Sequence, residues 1–319
     1  MTPRPPAGAR LRLLVLAPGE DGDAWRAAFL AADPTLEVRV WPEVGDRAQV
    51  DVAFAWKPPP GELARYPNLR AVYALGAGVD GLLSDPEFPR DLPLVRMVDP
   101  ALGRLMTEYV TGAVLRHHCE WDRYALLQRD GVWERHARPF MSDRVVGVMG
   151  LGELGGRAAL ALAQAGFTVR GWASRSREIA GVRTFGGDRE LDAFLSACEI
   201  LVCLLPLTER TRGVLCAATF AALPRGAALV HVARGAHLVE SDLIAALDAG
   251  QLRSATIDVF EREPLPPGHP FWTDPRILIT PHVASITSRA SAARTVVANL
   301  GGWMRGEPLR DVVDARRGY

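Results

Sequence analysis

Two rhythms of hydrophobic and polar residues run along the chain. Short, nearly continuous apolar runs at Leu11–Ala17, Leu36–Trp41, Asp51–Ala55, Leu69–Leu75 and Leu94–Val98 read as strands. A strand covered by helices on both sides has no solvent face to mark with polar residues, so it loses the usual alternation. Between the first two runs, Asp23–Ala32 sets Trp25, Ala28 and Phe29 on one helical face. From Arg104 to Arg129 a helical pattern continues without proline, carrying Leu105, Tyr109, Val110, Val114, Leu115, Trp121 and Tyr124, and predicts one long connecting helix. The strand rhythm then resumes at Val145–Met149, Phe167–Trp172, Ile200–Leu205, Ala227–Ala233, Ser254–Val259 and Ile277–Ile279, with helices from Glu153, over Leu191–Ala197 and over Glu240–Ala249. Strands alternating with helices predict an α/β protein built from two doubly wound parallel-sheet domains.

Length supports two domains, since 319 residues exceed the usual size of a single core. The net charge is zero, with acids and bases interspersed, which argues against nucleic acid or a charged membrane surface as partner. The opening MTPRPPAGAR lacks the apolar core of a signal peptide, and no uninterrupted apolar run approaches a membrane span, so a cytoplasmic location is expected. Cys119, Cys198, Cys203 and Cys216 show neither CxxC nor Cys/His ligand spacing and read as reduced thiols, with no metal site expected.

The densest chemistry starts where Val145–Met149 runs into Gly150-x-Gly152-x-x-Gly155. Between a strand and a helix each glycine meets its own steric demand. Gly150 permits the tight turn, Gly152 the close approach of a pyrophosphate, and Gly155 the packing of helix on strand. The helix N-terminus, with Glu153 and Leu154, adds free N–H groups and partial positive charge for a dinucleotide. About 20 residues further on, an NAD site usually places an acid on the ribose. Here the second strand ends instead in Ser174-Arg175-Ser176-Arg177. Serines and arginines suit a 2′-phosphate, so NADP(H) is the expected coenzyme and NAD(H) the weaker alternative. A solvated arginine-rich turn is the plainer reading of the same residues.

Other strand ends hold the remaining candidates. Trp56 and Lys57 follow one early strand, and Leu75-Gly76-Ala77-Gly78 another; the glycine turn suits a small carboxylate, while Trp56 reads equally well as core. Pro206 and Thr211 lie in the loop after Ile200–Leu205, and Val232 and Ala233 precede Arg234, all on the expected coenzyme edge. Arg234, Glu263 and His282 each follow a late strand. Reduction of a 2-oxo acid needs a cation for the carboxylate and carbonyl oxygen, a proton donor, and an acid to orient the donor; arginine, histidine and glutamate supply these. His231 and His237, flanking Arg234, are the rival histidines.

Gly150-x-Gly152-x-x-Gly155, His231-Val-Ala-Arg234-Gly235, Asp258-Val-Phe-Glu-Arg-Glu263-Pro264-Leu265 and Thr280-Pro281-His282-Val-Ala-Ser285 together resemble the D-isomer-specific 2-hydroxyacid dehydrogenases. Ala55-Trp56-Lys57-Pro58-Pro59, Leu75-Gly76-Ala77-Gly78-Val79-Asp80, Met106-Thr-Glu108-Tyr109-Val110, the Ser174–Arg177 stretch and the ending Ala315-Arg-Arg-Gly-Tyr319 are similar to the glyoxylate/hydroxypyruvate reductase A branch. The resemblance implies a Rossmann domain over residues 101–286 inserted in a flavodoxin-like substrate domain made of 1–100 and 287–319. It further implies Arg234 as substrate clamp, His282 as acid/base, Glu263 as its partner, Asp258 near the nicotinamide, and a homodimer. His231 stands where the family usually has asparagine. The expected activity is NADPH-dependent reduction of glyoxylate or hydroxypyruvate. Another 2-hydroxy acid dehydrogenase of the same fold is the alternative, and a non-enzymatic dinucleotide-sensing corepressor a more distant one.

Charge reversal tests the role of Ser174–Arg177. Arg175→Asp is expected to lower kcat/KM with NADPH about tenfold or more while leaving NADH nearly unchanged. Equal use of the two coenzymes by the native enzyme in steady-state assays contradicts the preference.

Overall fold

The computed structural model describes residues 10–314. The chain divides into two compact units, Met1–Leu102 with Thr287–Tyr319, and Gly103–Ile286. Each carries one parallel sheet.

In the first unit the strands are β1 (Arg12–Leu16), β2 (Glu37–Val40), β3 (Val52–Ala55), β4 (Ala71–Ala74) and β5 (Leu94–Val95), in the order β2-β1-β3-β4-β5. β3 and β4 are buried along their whole length, the signature their apolar runs carry. The helix Gly22–Ala32 buries Trp25 and Phe29. Their rings meet Phe54 of β3 at centroid distances of 4.8 and 5.1 Å, tilted and edge-on, as ring quadrupoles prefer. A helix from late in the chain, Arg289–Met304, completes the unit, and the Arg289 guanidinium lies 5.9 Å from the Trp25 ring centroid. The Val313 N–H then donates to the Leu94 carbonyl of β5 at 2.8 Å, so the chain returns to the sheet it left.

The second unit has β6 (Val145–Met149), β7 (Thr168–Ala173), β8 (Val182–Gly186), β9 (Ile200–Cys203), β10 (Ala227–His231), β11 (Leu252–Ile257) and β12 (Ile277–Ile279). Their order is β12-β11-β10-β9-β6-β7-β8, which reverses direction beside β6. Ligands in such sheets bind beyond the carboxyl ends of the strands at that reversal. One face packs Phe194, Phe220 and Phe271. The other packs Val146, Val148 and Leu162 against Val110 and Val114.

Seven of the eleven expected strands are one to three residues shorter than their apolar runs, and Leu205, Val232 and Ala233 continue theirs as buried loop at the site edge. Edge strand β8 has no counterpart among the expected strands: Val182-Arg-Thr-Phe-Gly186 is too polar to stand out, and only Phe185 is buried.

The single helix expected over Arg104–Arg129 is two helices, Pro100–His118 and Trp121–Arg129. Glu120 between them takes the left-handed φ of +56° that breaks the helical path. The bend is held by buried polar contacts. His117 Nδ1 lies 2.9 Å from Asp122 Oδ2 and its Nε2 lies 3.0 Å from Thr256 Oγ1, while Ser254 Oγ donates to the same carboxylate. Arg253 donates to the His117 carbonyl at 2.6 Å. Burial lowers the His117 pKa, and the His117 contact holds the Asp122 carboxyl well below its ordinary range against the cost of its own burial.

Candidate active site

The glycine turn does what its spacing demands. Gly150 sits at a φ of +97°, and a Cβ there would meet the Leu204 carbonyl oxygen at 2.6 Å. A Cβ on Gly155 would overlap the Gly150 oxygen at 1.8 Å, so helix and turn pack backbone on backbone. Gly152 is the opposite case: a Cβ there meets nothing within 4 Å. It precedes the helix Glu153–Gln164, and no side chain caps it. An uncapped helix N-terminus with open space before it fits a dinucleotide pyrophosphate, which finds N–H donors and the positive end of the helix dipole there. Glu153 and Leu154 form the first turn, and Glu153 Oε1 holds Arg157 at 2.6 Å.

Beyond β7, Ser174–Arg177 is exposed. The two arginines differ. Arg175 has no hydrogen-bond or ion-pair partner among the described residues, whereas Arg177 donates to the Leu151 carbonyl at 2.6 Å. The Ser176 hydroxyl lies 3.1 Å from that of Thr184 on β8.

At the other end of the sheet β10, β11 and β12 are neighbours, so their carboxyl ends lie side by side. His282 Nδ1 lies 2.8 Å from Glu263 Oε2. A carboxylate only accepts, so Nδ1 carries the proton and Nε2 is the atom left for chemistry. The Glu263 Oε1 accepts from the Phe260 N–H at 3.2 Å, which fixes the acid itself. His282 has a left-handed φ of +55°. Its N–H donates to the Asp258 carbonyl at 2.8 Å.

The Asp258 carboxylate is buried and spends both oxygens on this segment. Oδ1 accepts from the Thr280 hydroxyl at 2.6 Å and the Val283 N–H at 2.8 Å, and Oδ2 from the Ala284 N–H at 2.9 Å. Thr280 in turn lies 2.5 Å from the Tyr109 hydroxyl, which burial pushes up to about 12. Sequence reasoning put Asp258 beside the coenzyme and gave it no part in shaping this loop.

Arg234 is brought to the same edge by Gly235, where a Cβ would overlap the Phe260 carbonyl carbon at 1.9 Å. Backbone contact that close leaves room only for glycine. Two buried imidazoles bracket the Arg234 peptide: His231 Nε2 lies 2.9 Å from the Arg234 oxygen, and the Arg234 N–H donates to His237 Nδ1 at 3.2 Å. His237 Nε2 reaches the Pro206 oxygen at 3.2 Å, and Thr211 Oγ1 donates to that same carbonyl at 2.7 Å. The rival histidines are thus structural supports of Arg234. Val232 and Ala233 are buried beneath it.

In the first unit, Trp56 and Lys57 follow β3, and Leu75 to Gly78 follow the adjacent β4. The Trp56 ring packs on the glycine turn, 3.0 Å from where a Gly76 Cβ would stand. Lys57 is exposed, with a φ of +45° and its Nζ 5.8 Å from the Trp56 ring centroid. Leu75 is buried, and its carbonyl accepts from Thr287 Oγ1 at 3.1 Å. The N–H groups of Gly76, Ala77 and Gly78 donate no hydrogen bond among the described residues, which leaves three donors for an anion. Among the described residues no cluster of potential metal ligands occurs.

The family model of the NAD binding domain of D-isomer specific 2-hydroxyacid dehydrogenases matches residues 111–284. The glyoxylate/hydroxypyruvate reductases A of Yersinia enterocolitica and Serratia proteamaculans are 39% and 40% identical over 315 residues, covering 97% of this chain and all of theirs. The D-isomer specific 2-hydroxyacid dehydrogenase of Xanthobacter autotrophicus Py2, solved with NADPH and MES, has a TM-score of 0.93 at 43% identity, covering 98% of this chain and all of that one. The NADPH-dependent glyoxylate/hydroxypyruvate reductase of Sinorhizobium meliloti, solved with NADP and sulfate, has a TM-score of 0.91 at 38% identity, with coverage of 97% and 100%.

The support beneath Arg234 has a pH signature. His231 has no exposed surface, and burial lowers its imidazole from 6.5 to about 3. Between those values the unfolded chain binds a proton that the native chain does not. The stability that depends on neutral His231 is therefore complete above pH 6.5 and is lost as pH falls towards 3, at about 1.4 kcal/mol per pH unit. His231→Asn is expected to flatten the acid slope of stability by about 1 kcal/mol per pH unit between about pH 6 and 4.5. Urea denaturation at three pH values reads it, and parallel slopes for the two proteins contradict a buried neutral imidazole.

Proposed function

The chain belongs to the D-isomer-specific 2-hydroxyacid dehydrogenase family, an NAD(P)-dependent oxidoreductase family, and on that premise we propose that it reduces small 2-oxo acids with NADPH. Glyoxylate and hydroxypyruvate are the substrates, glycolate and D-glycerate the products. The observation that carries this reading is the 2.8 Å contact of His282 with Glu263 at the carboxyl ends of neighbouring strands, in the same unit as the glycine turn. The substrate class follows the names of the Yersinia and Serratia relatives, and the coenzyme those of the NADP-bound Xanthobacter and Sinorhizobium structures.

The Gly150–Gly155 turn and the helix it opens hold the pyrophosphate, and Ser174, Arg175 and Ser176 take the 2′-phosphate. Pro206, Thr211, Val232, Ala233 and Asp258 line the coenzyme edge. When bound, NADPH supplies the hydride that reaches the carbonyl carbon. The chain's own residues do the rest. Arg234 pairs with the substrate carboxylate and polarises the carbonyl oxygen, its peptide held by His231 and His237. Glu263 keeps the imidazole on its Nδ1–H tautomer and stabilises the cationic form, and His282 gives the Nε2 proton to the oxygen as the hydroxyl forms. Residues 1–100 and 287–319 form the substrate domain and 101–286 the coenzyme domain. Within the first unit, the Gly76–Gly78 turn offers N–H donors to a small carboxylate, with Trp56, Lys57 and Leu75 beside it.

His282→Ala is expected to lower kcat with glyoxylate by about 10²–10⁴ while changing the NADPH dissociation constant less than about twofold. NADPH oxidation followed by its absorbance decides this, and unchanged turnover removes the proton-donor role. On a panel of 2-oxo acids, highest kcat/KM for a bulky acid removes the substrate assignment.

The enzyme works as a homodimer in the cytoplasm. All four cysteines are free, and burial pushes Cys198 and Cys203 up to about 12, as suits inert thiols in a reducing compartment. Trp133 is 92% exposed and Phe140 80%, close along the chain to exposed Trp121 and Val132. Such a run of bare apolar side chains is costly in water and suits burial against a second copy. Light scattering after size exclusion is expected to give a dimer for the native chain and a monomer for Trp133→Ser/Phe140→Ser. A native monomer rules the dimer out.

A further inference from the structure

The arginines of the Ser174–Arg177 stretch divide their work, and only the first is free to meet a ligand. Arg175 is exposed and unpartnered among the described residues, whereas the Arg177 guanidinium donates to the Leu151 carbonyl at 2.6 Å. Leu151 is the residue between the first two glycines of the turn. Its carbonyl belongs to the same peptide as the Gly152 N–H. In a planar trans peptide the two point in opposite directions, so whatever fixes the oxygen also aims the N–H.

The rest of the turn is already restrained. The Gly150 N–H donates to the Trp172 carbonyl at 2.8 Å, and the Leu151 side chain fills the space over Gly171, where a Cβ would approach it to 2.7 Å. The Leu151–Gly152 peptide has no such restraint from its neighbours, because Gly152 lacks a Cβ and faces open space. Arg177 supplies it from a segment that is itself anchored. A Cβ on Gly186 would meet the Ser176 nitrogen at 2.6 Å, and the Ser176 and Thr184 hydroxyls lie 3.1 Å apart. A cation on the carbonyl also polarises the peptide, which makes the N–H a stronger donor.

We infer that Arg177 is a positioning residue for the pyrophosphate site: it sets the Leu151–Gly152 peptide so that the Gly152 N–H faces the dinucleotide, and it serves NADPH and NADH alike. This rests on the coenzyme reading above. It separates two functions that the stretch carries side by side, with Arg175 selecting the 2′-phosphate and Arg177 shaping the turn for either coenzyme.

Calorimetric titration of the substrate-free enzyme with NADPH, NADH and adenosine 2′-monophosphate tests it. The last ligand carries the 2′-phosphate without a pyrophosphate. Arg177→Met is expected to weaken NADPH and NADH by the same factor, about tenfold, and to leave adenosine 2′-monophosphate within about twofold of native. Arg175→Met is expected to give the opposite pattern, with NADPH and adenosine 2′-monophosphate weakened and NADH spared. Arg177→Lys, which keeps a charged donor, is expected to recover most of the lost affinity for both dinucleotides, and it carries the test if the methionine variant does not fold. Selective loss of NADPH in Arg177→Met makes Arg177 a direct phosphate ligand and overturns the inference, as does unchanged binding of all three ligands. Failure of the native enzyme to bind either dinucleotide overturns the coenzyme reading itself, and is seen before any variant is made.

Discussion

A buried carboxylate, that of Asp258, decides where the proposed proton donor can stand. Its oxygens take three hydrogen bonds from residues 280–284, and its main-chain oxygen takes the His282 N–H. A buried carboxylate is tolerable only when its lone pairs are met, so the segment after β12 must wrap around it. His282, inside that wrap, adopts a left-handed backbone and sends its ring to Glu263. The strain of a non-glycine residue at positive φ is about 1 kcal/mol or more, and the bonds around Asp258 are what sustain it. Without them the imidazole would have no reason to face the acid three residues past Phe260.

Much of this was legible in the chain. The glycine turn could be read because each position carries a steric demand that only glycine meets, and the overlaps at Gly150 and Gly155 are those demands in ångströms. Arg234, Glu263 and His282 could be read because parallel strands deliver their ends to one edge, and each residue follows a strand that its apolar run announces. What stayed hidden depends on partners far away in sequence. Nothing in the run from Asp258 to Ala284 says that a carboxylate will cap a loop more than twenty residues later. The break at Glu120 is equally silent, since the helical period of Arg104–Arg129 continues through it. It takes the bonds of His117, Asp122 and Ser254 to make the bend. Equal residue types also concealed unequal roles, for Arg175 and Arg177 are alike in sequence and only the reach of the second to Leu151 tells them apart.

The histidines show how burial assigns chemistry. His282 is only partly covered, its side chain 35% exposed, with its Nδ1 held by Glu263. His231 has no exposure, and desolvation holds it neutral far below the pH at which an ordinary imidazole would charge. A neutral imidazole can donate to the Arg234 carbonyl without adding a second cation beside the guanidinium. An imidazolium there would repel the Arg234 guanidinium. The asparagine that the family resemblance implies at this position would donate through an amide that never titrates, and full burial keeps the His231 imidazole neutral until the pH falls to about 3. The replacement therefore keeps the donor and adds ring volume in the core under the site, and the sensitivity to acid is its physical consequence.

The contrast between the glycines bears on how the site separates access from restraint. At Gly235 and Gly155 the missing side chain is filled by backbone, so these positions hold the protein to itself. At Gly152 it is filled by nothing, so that position stays open. An open glycine is also the most flexible residue available, and a donor that must be aimed cannot be left flexible at no cost to binding. A turn made of glycine for access therefore needs restraint from outside itself. In this chain the restraint comes from β7 and the segment after it: Trp172 at the first glycine, and Arg177 at the peptide leading into the second. The segment proposed to discriminate between coenzymes is thus also the one that restrains the peptide leading into the open glycine.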